Sequence, residues 1–147
     1  MKIPLAIASL ALMAVGCQIL PPSYVFVQRF AERHPNNPHA LFMEGNSYLR
    51  QGQPGKATSR FREALRLQPD FEEARVGLAH ALREAGSYKP AARVYREVLA
   101  HSPQNVQALE GLAICQWRLG RTDEAEQLLR KALEIQPMRP EATVSLL

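Results

Sequence analysis

The sequence is poor in the residues that bind metals or build disulfide frameworks. Its 147 residues include two cysteines and four histidines, which are His34, His39, His80 and His101. No two histidines are four positions apart, the spacing that places two metal ligands on one helix face. Glycine-rich phosphate loops, nucleophile elbows and paired-acid sites are also absent. These absences argue against an enzyme, and no metal or other cofactor is expected.

The chain also lacks a strong excess of charge of one sign. Its 18 basic and 14 acidic residues give a formal net charge of +4. Because this charge is small and both signs are interspersed, no nucleic-acid partner is expected. The charge is nevertheless dipolar along the chain, with a basic group at Lys56, Arg60, Arg62 and Arg66 and an acidic group at Asp123, Glu124 and Glu126. A solvated charged face explains this pattern, and the alternative is orientation near anionic lipid or a partner.

The first 16 residues have the pattern of an export signal. A basic start is followed by an apolar run from Ile3 to Val15. This run is roughly a dozen residues long and contains Pro4, whereas a membrane-spanning helix needs about 20 apolar residues. We therefore predict a secretory signal peptide at residues 1–16, which is not part of the folded domain.

The end of this segment, from Ala14 to Cys17, resembles a bacterial lipoprotein box. In such proteins the cysteine carries diacylglycerol on its sulfur and an acyl chain on its amino group. The resemblance implies a membrane anchor at Cys17 and a short linker at residues 17–22. It also implies the periplasmic side of the outer membrane, because Gln18 replaces the aspartate that retains such proteins in the inner membrane. The alternative is an ordinary signal peptidase site, since Ala14 and Gly16 are both small.

Lipidation at Cys17 would leave one thiol, at Cys115, and hence no intramolecular disulfide. Cys115 lies in an apolar helical run with no histidine nearby in the sequence. We therefore expect it to be a small buried hydrophobe and not a nucleophile.

Prolines and glycines recur at one fixed interval along the rest of the chain. The interval is 34 residues for Pro35, Pro69, Pro103 and Pro137, and likewise for Gly52, Gly86 and Gly120. Apolar residues have helical spacing on both sides of each glycine, which predicts stacked pairs of amphipathic helices. The glycine allows a left-handed residue after the first helix, and the proline prevents the second helix from continuing.

The residues between these marks resemble the tetratricopeptide repeat. That family has small residues at positions eight and twenty, matched here by Gly45 with Ala57, Ala79 with Ala91 and Ala113 with Ala125. Phe61, Tyr95 and Leu129 occupy position twenty-four. Glu44, Arg75 and Gln116 depart from the pattern, at positions where the family usually has large apolar residues. The resemblance implies an all-α, right-handed superhelical solenoid with repeats at residues 38–71, 72–105 and 106–139.

Both ends of the repeat array are incomplete. Residues 23–37 keep a single helix, with Ser23 predicted as its N-cap, and residues 140–147 begin a further helix. The apolar residues Phe26, Val27, Phe30 and Ala31 are expected to pack on the first full repeat. Two interpretations of these ends are open: each terminal helix folds over its own core, or both ends are contact surfaces for self-association.

The family resemblance also implies a concave groove for a protein or peptide partner, lined by positions two, five, nine and twelve of each first helix. These positions are His39, Phe42, Asn46, Leu49, Glu73, Val76, His80, Arg83, Gln107, Glu110, Ile114 and Trp117. The mixture of apolar and polar groups suits an extended or helical peptide. Trp117 is the predicted hot spot, and the alternative is that it packs on an adjoining helix turn. A carboxylate clamp is not expected, because Phe42 stands where chaperone-binding members have lysine.

The sequence therefore predicts a non-enzymatic, lipid-anchored periplasmic scaffold. Small tetratricopeptide lipoproteins of this kind resemble assembly factors of bacterial pili, of the Flp (tight adherence) or type IV class, and of secretion systems. One alternative is an adaptor for exopolysaccharide export or cell-wall enzymes. An alternative of another class is a haem-delivery chaperone or enzyme-associated domain that uses His39, His80 or Cys115.

Overall fold

The computed structural model of the protein describes residues 22–33 and 36–137, and these residues contain helices and turns but no strand. The helices are α1 (Pro22–Arg33), α2 (Pro38–Arg50), α3 (Pro54–Leu67), α4 (Glu72–Glu84), α5 (Tyr88–His101), α6 (Val106–Arg118) and α7 (Thr122–Ile135). The last six form three consecutive pairs. The second helices α3 and α5 each pack between the first helices of their own pair and the next, and α7 packs on α6. The predicted all-α solenoid of helix pairs is confirmed. The predicted signal peptide, Cys17 and the segment 140–147 lie outside the described residues.

Local sequence signals set the helix ends. Pro38 and Pro54 are the first residues of α2 and α3, where proline's missing N–H leaves no hydrogen bond unmade. Asn37 caps α2, because its Oδ1 accepts from the backbone N–H of His39 at 2.9 Å. The prediction of Ser23 as an N-cap is wrong, since α1 already includes Pro22 and Ser23 therefore lies inside the helix.

Each first helix is followed, two residues after its end, by a glycine in the left-handed region, as predicted. The φ angles of Gly52, Gly86 and Gly120 are 67°, 76° and 79°. The backbone N–H after the glycine then reaches back to the helix, as in the 2.9 Å bond from Gln53 to the Tyr48 carbonyl. This closing motif reverses the chain within a few residues, so the second helix packs antiparallel to the first.

Aromatic side chains at position twenty-four pack between neighbouring pairs. The Phe61 side chain is fully buried, and its ring lies against the backbone of both Gly45 on α2 and Gly77 on α4. A Cβ atom at these glycines would be 2.6 and 2.7 Å from the Phe61 Cε1 atom. The buried Tyr95 ring packs in the same way against Gly111 on α6. Cys115 is also fully buried in this core, as expected.

The polar departures from the family pattern have partners. The Glu44 carboxylate lies 3.0 Å from the Arg60 Nε atom. Arg60 therefore pairs with Glu44 as well as with Glu63. The Arg75 guanidinium donates to the backbone carbonyl of Pro69. The buried Gln116 amide donates to a carboxylate oxygen of α7. Each polar group thus replaces an apolar contact with a hydrogen bond between neighbouring segments.

The first helix, α1, packs on α2 through only part of its apolar surface. Val27 is buried, whereas Phe26 is 65% exposed and its ring stacks along the helix on Phe30, with the ring centroids 6.4 Å apart. The prediction that Phe26 packs on the first full repeat is therefore wrong. Among residues 22–33 and 36–137, α1 packs mainly on α2, and Val27 is a buried apolar side chain of α1.

Candidate functional site

The first helices α2, α4 and α6 line a concave groove with a volume of about 1050 Å³. Nine of the twelve predicted groove residues form its walls: Phe42, Asn46, Glu73, Val76, His80, Arg83, Gln107, Glu110 and Ile114. They meet because positions two, five, nine and twelve recur on one face of a helix, and the pairs stack in register. The groove is an open cleft on the surface of the stack.

Three predicted groove residues, His39, Leu49 and Trp117, do not line this cavity. The His39 ring lies on the Phe71 ring, with the centroids 4.7 Å apart. Leu49 is half-buried and packs against the hydrophobic core. Trp117 is 58% exposed, and the Arg118 guanidinium lies 5.1 Å from the centre of its ring. Trp117 is at the end of α6, and the described residues contain no further first helix to form a second wall there.

Sequence reasoning missed part of the groove floor. Gly77, Gly111 and Tyr95 line the groove because a glycine on the first helix lets the aromatic ring below it approach the surface. Burial raises the pKa of Tyr95 to about 12, so this phenol stays protonated. The signal was present in the sequence: both glycines occupy position six of their repeats, and each faces an aromatic residue at position twenty-four of the preceding repeat.

A carboxylate that the sequence analysis did not select fixes one edge of the groove. Glu72, at the start of α4, accepts a 2.5 Å hydrogen bond from the Ser102 hydroxyl and a 2.8 Å bond from the Asn105 amide. The bond from Ser102, followed by that from Asn105, lowers the pKa of the Glu72 carboxyl below its ordinary value. Asn105 also caps α6 by accepting from the Ala108 N–H. One charged group therefore connects the starts of two successive first helices.

The basic side of the groove is formed by His80 and Arg83 on α4. Burial lowers the pKa of His80 below its ordinary value, and the neighbouring Arg83 lowers it further. The imidazole is therefore neutral at pH 7. Glu84 lies 3.4 Å from the His80 Nε2 atom and 2.8 Å from the Arg83 guanidinium. Arg83 thus provides the permanent positive charge on this side.

Apolar side chains lie between the charged groups. Phe42, Val76 and Ile114 come from three successive first helices, so they form a discontinuous apolar strip along the groove. The Phe42 ring is held by the Phe71 and Phe61 rings, with centroid distances of 5.2 and 5.9 Å. Tilted rings at these distances are in the favourable range for aromatic pairs. The strip presents separate apolar contacts to a bound chain.

Within residues 22–33 and 36–137, no three His, Cys, Asp or Glu side chains are grouped to hold a metal ion. In the same ranges, every helix is too short or too polar to cross a bilayer.

Family models match the part of the chain that forms the helix pairs. Two models, both described as tetratricopeptide repeat, match residues 42–97 and 82–143. The human tetratricopeptide repeat protein 7B is 34% identical over 88 residues, which are 60% of this chain and 10% of that protein. The chain therefore spans about a tenth of the length of this relative.

Solved structures with the same fold have low sequence identity. MamA (residues 41 to the end) from Desulfovibrio magneticus RS-1 is 21% identical with a TM-score of 0.75, over 84% of this chain and 70% of that one. The first tetratricopeptide domain of Spaghetti (RPAP3), solved with a bound HSP90 peptide, is 21% identical with a TM-score of 0.71. That match covers 75% of this chain and 87% of the domain. At these identities the likeness establishes the fold.

Proposed function

The chain belongs to the tetratricopeptide repeat family, and we propose that it is a non-enzymatic scaffold whose groove holds a segment of a partner protein. Proteins of this family mediate protein–protein interactions, and the RPAP3 domain of the same fold was solved with a peptide bound. We infer the scaffold role from the fold, and we propose the groove as the contact site.

The observation that supports a peptide ligand is the chemistry of the groove lining. Phe42, Val76 and Ile114 give separate apolar contacts, which suit the alternate side chains of an extended segment. Asn46 and Gln107 are amides that both donate and accept, so they match the N–H and C=O groups of a peptide backbone. The volume of about 1050 Å³ is at the upper end of the range for small-molecule pockets, and an open cleft of that size accommodates a chain of several residues.

Site-specific photo-crosslinking in the native cell tests this proposal. A photoreactive amino acid at Gln107, in the groove, should capture one partner, whereas the same group at Arg62, an exposed residue of α3, should not. Ile114→Glu should abolish capture, because it places a charge in the apolar strip while the helix pair remains intact by circular dichroism. Equal capture from both positions, or capture that persists in the Ile114→Glu variant, would contradict the groove as the contact site.

The proposal includes a membrane anchor at Cys17. It is supported by the lipoprotein-like residues Ala14 to Cys17. Five peptide units separate Cys17 from Pro22, the start of α1, and an extended chain of this length reaches at most about 18 Å. The repeats would therefore work close to the bilayer. Cys17→Ser should release the protein from the membrane fraction, and membrane partition identical to that of the natural chain would contradict the anchor.

The cellular role that we propose is assembly of an envelope machine such as a pilus or secretion system, on the periplasmic side of the outer membrane. The support is the predicted export signal together with the lipoprotein-like cysteine, because an exported and anchored protein would meet its partner in the same compartment. Mass spectrometry of the species cross-linked at Gln107 separates this role from an adaptor for exopolysaccharide export or cell-wall enzymes. A pilus or secretin subunit supports the proposed role, and a polysaccharide-export protein or cell-wall enzyme replaces it.

The enzyme-associated alternative has little support from its candidate residues. Burial raises the pKa of the Cys115 thiol to about 11, and its side chain is fully buried, so neither access nor ionisation favours a nucleophile. His39 and His80 are on different helices, and only His80 lines the groove. Stoichiometric metal or haem in the purified protein would restore this alternative.

A further inference from the structure

A second, smaller cavity lies between α5, the end of α6 and the turn before α7. Its volume is about 360 Å³, and its lining residues are Lys89, Ala92, Arg96, Gln116, Leu119 and Arg121. None of these residues lines the peptide groove. Ala92 and Gln116 are buried and form its floor, whereas the three basic residues are exposed around its opening. We call this the basic cavity.

The charges at the basic cavity are predominantly positive. Lys89, Arg96 and Arg121 contribute three positive charges, and the lining contains no carboxylate. Glu124 contacts the lining, since its carboxylate lies 4.0 Å from Arg121 and accepts from the Gln116 amide. Among the described residues, no carboxylate lies within ion-pair distance of Lys89 or Arg96. One negative charge against three positive charges leaves a site that attracts anions.

The floor of the basic cavity includes a buried side-chain amide. Gln116 is 1% exposed, its Nε2 donates to Glu124, and its Oε1 has no hydrogen-bond partner among the described residues. The orientation of this amide follows from Glu124, because an ionised carboxylate only accepts hydrogen bonds. The Oε1 atom is closed to solvent, so a ligand in the cavity would contact the basic side chains at the opening and not this atom.

We propose that the basic cavity binds a phosphoryl group. The phosphoryl oxygens would accept from Lys89, Arg96 and Arg121. This chemistry is found in a phospholipid headgroup and in inorganic phosphate. A volume of about 360 Å³ is at the lower end of small-ligand sites, which fits a group of this size and not a polymer. The proposal is independent of the peptide groove, because the two cavities have no lining residue in common.

The test is an NMR titration of the full chain in neutral detergent, with inorganic phosphate in one series and dihexanoyl phosphatidylglycerol in the other. Saturable shifts are expected at backbone amides near Gln116 and Arg121 and not on α2. Arg96→Ala should weaken binding by roughly threefold to tenfold, as expected for loss of a charge-assisted hydrogen bond. Arg93→Ala is the matched control, because it removes the same charge from an exposed position on α5 outside the lining.

A second variant keeps the test informative if Arg96→Ala perturbs α5. Glu124→Gln removes the nearby negative charge and retains an amide oxygen that can accept from Gln116, so binding should become tighter. Tighter binding of the short-chain lipid than of phosphate identifies the headgroup as the ligand, and equal binding identifies the free anion. The proposal is overturned if neither probe gives saturable shifts, or if Arg93→Ala weakens binding as much as Arg96→Ala.

Discussion

A methyl group added at Gly111 should destabilise the protein although it improves the intrinsic helix propensity of α6. A Cβ atom there would lie 2.6 Å from the Tyr95 Cε1 atom and closer still to Cζ. Carbon atoms in contact are normally about 3.5–4.0 Å apart, so the ring must move by about 1 Å. Tyr95 is 2% exposed in a densely packed core and has little room for this movement.

The expected magnitude follows from two opposing terms. Overpacking of a core costs about 1–3 kcal/mol, whereas replacing a helical glycine by alanine gains about 1 kcal/mol. Gly111→Ala should therefore lower the free energy of unfolding by up to about 2 kcal/mol. For a chain of this length, each kcal/mol corresponds to roughly 2–4 °C in Tm.

Urea and thermal unfolding monitored by circular dichroism provide the assay. Gly55→Ala in α3 is the control, because a Cβ there has no neighbouring atom within 4 Å and the substitution should be neutral or stabilising. The double variant with Tyr95→Leu should show a smaller penalty for Gly111→Ala, since leucine is the residue at the same repeat position in α7. If Gly111→Ala stabilises the protein as much as Gly55→Ala does, the tight packing of Tyr95 on Gly111 is refuted.

Three other measurements test separate features. Gly86→Ala should cost about 1 kcal/mol or more in unfolding experiments, because φ is 76° at this position and L-residues are strained there; no loss would contradict the left-handed turn. Because the pKa of Glu72 is lowered, its ionised carboxylate stabilises the fold above the reference value of 4.5, and this stabilisation is lost as pH falls through the lower folded value. Glu72→Gln should therefore flatten the acid limb of a stability–pH curve, and an unchanged limb would contradict this role. The Cys115 thiol should react with a thiol reagent at pH 8 only after denaturation, and rapid reaction of the folded protein would contradict its burial.

The fold could be predicted largely from the glycines and prolines that terminate helices. Gly52, Gly86 and Gly120 required left-handed backbone, and proline after each second helix prevented continuation, so the helix pairs followed from local rules. The ion pair between Glu44 and Arg60 could not be predicted in this way, because it joins two helices and depends on where their side chains meet.

The groove could be predicted to the extent that it follows helix periodicity. Val76 and Ile114 lie where positions five and nine predict, since these positions share one helix face. Trp117 occupies a predicted groove position outside the cavity, because lining a groove also requires a neighbouring helix, and the described part of the chain contains no further first helix after α6. Tyr95 reaches the floor from a second helix, which depends on the absence of a side chain at Gly111 and not on the periodicity of the first helix.

The position of Phe61 has a consequence for how the array unfolds. Its ring is enclosed partly by its own pair, at Gly45, and partly by the next pair, at Gly77. If either pair opens, the ring loses its contact with that pair and becomes exposed to water, so the remaining pair loses stability as well. Adjacent repeats should therefore open as a joint unit, and a local fluctuation in one repeat should extend to its neighbour instead of ending at the boundary between them.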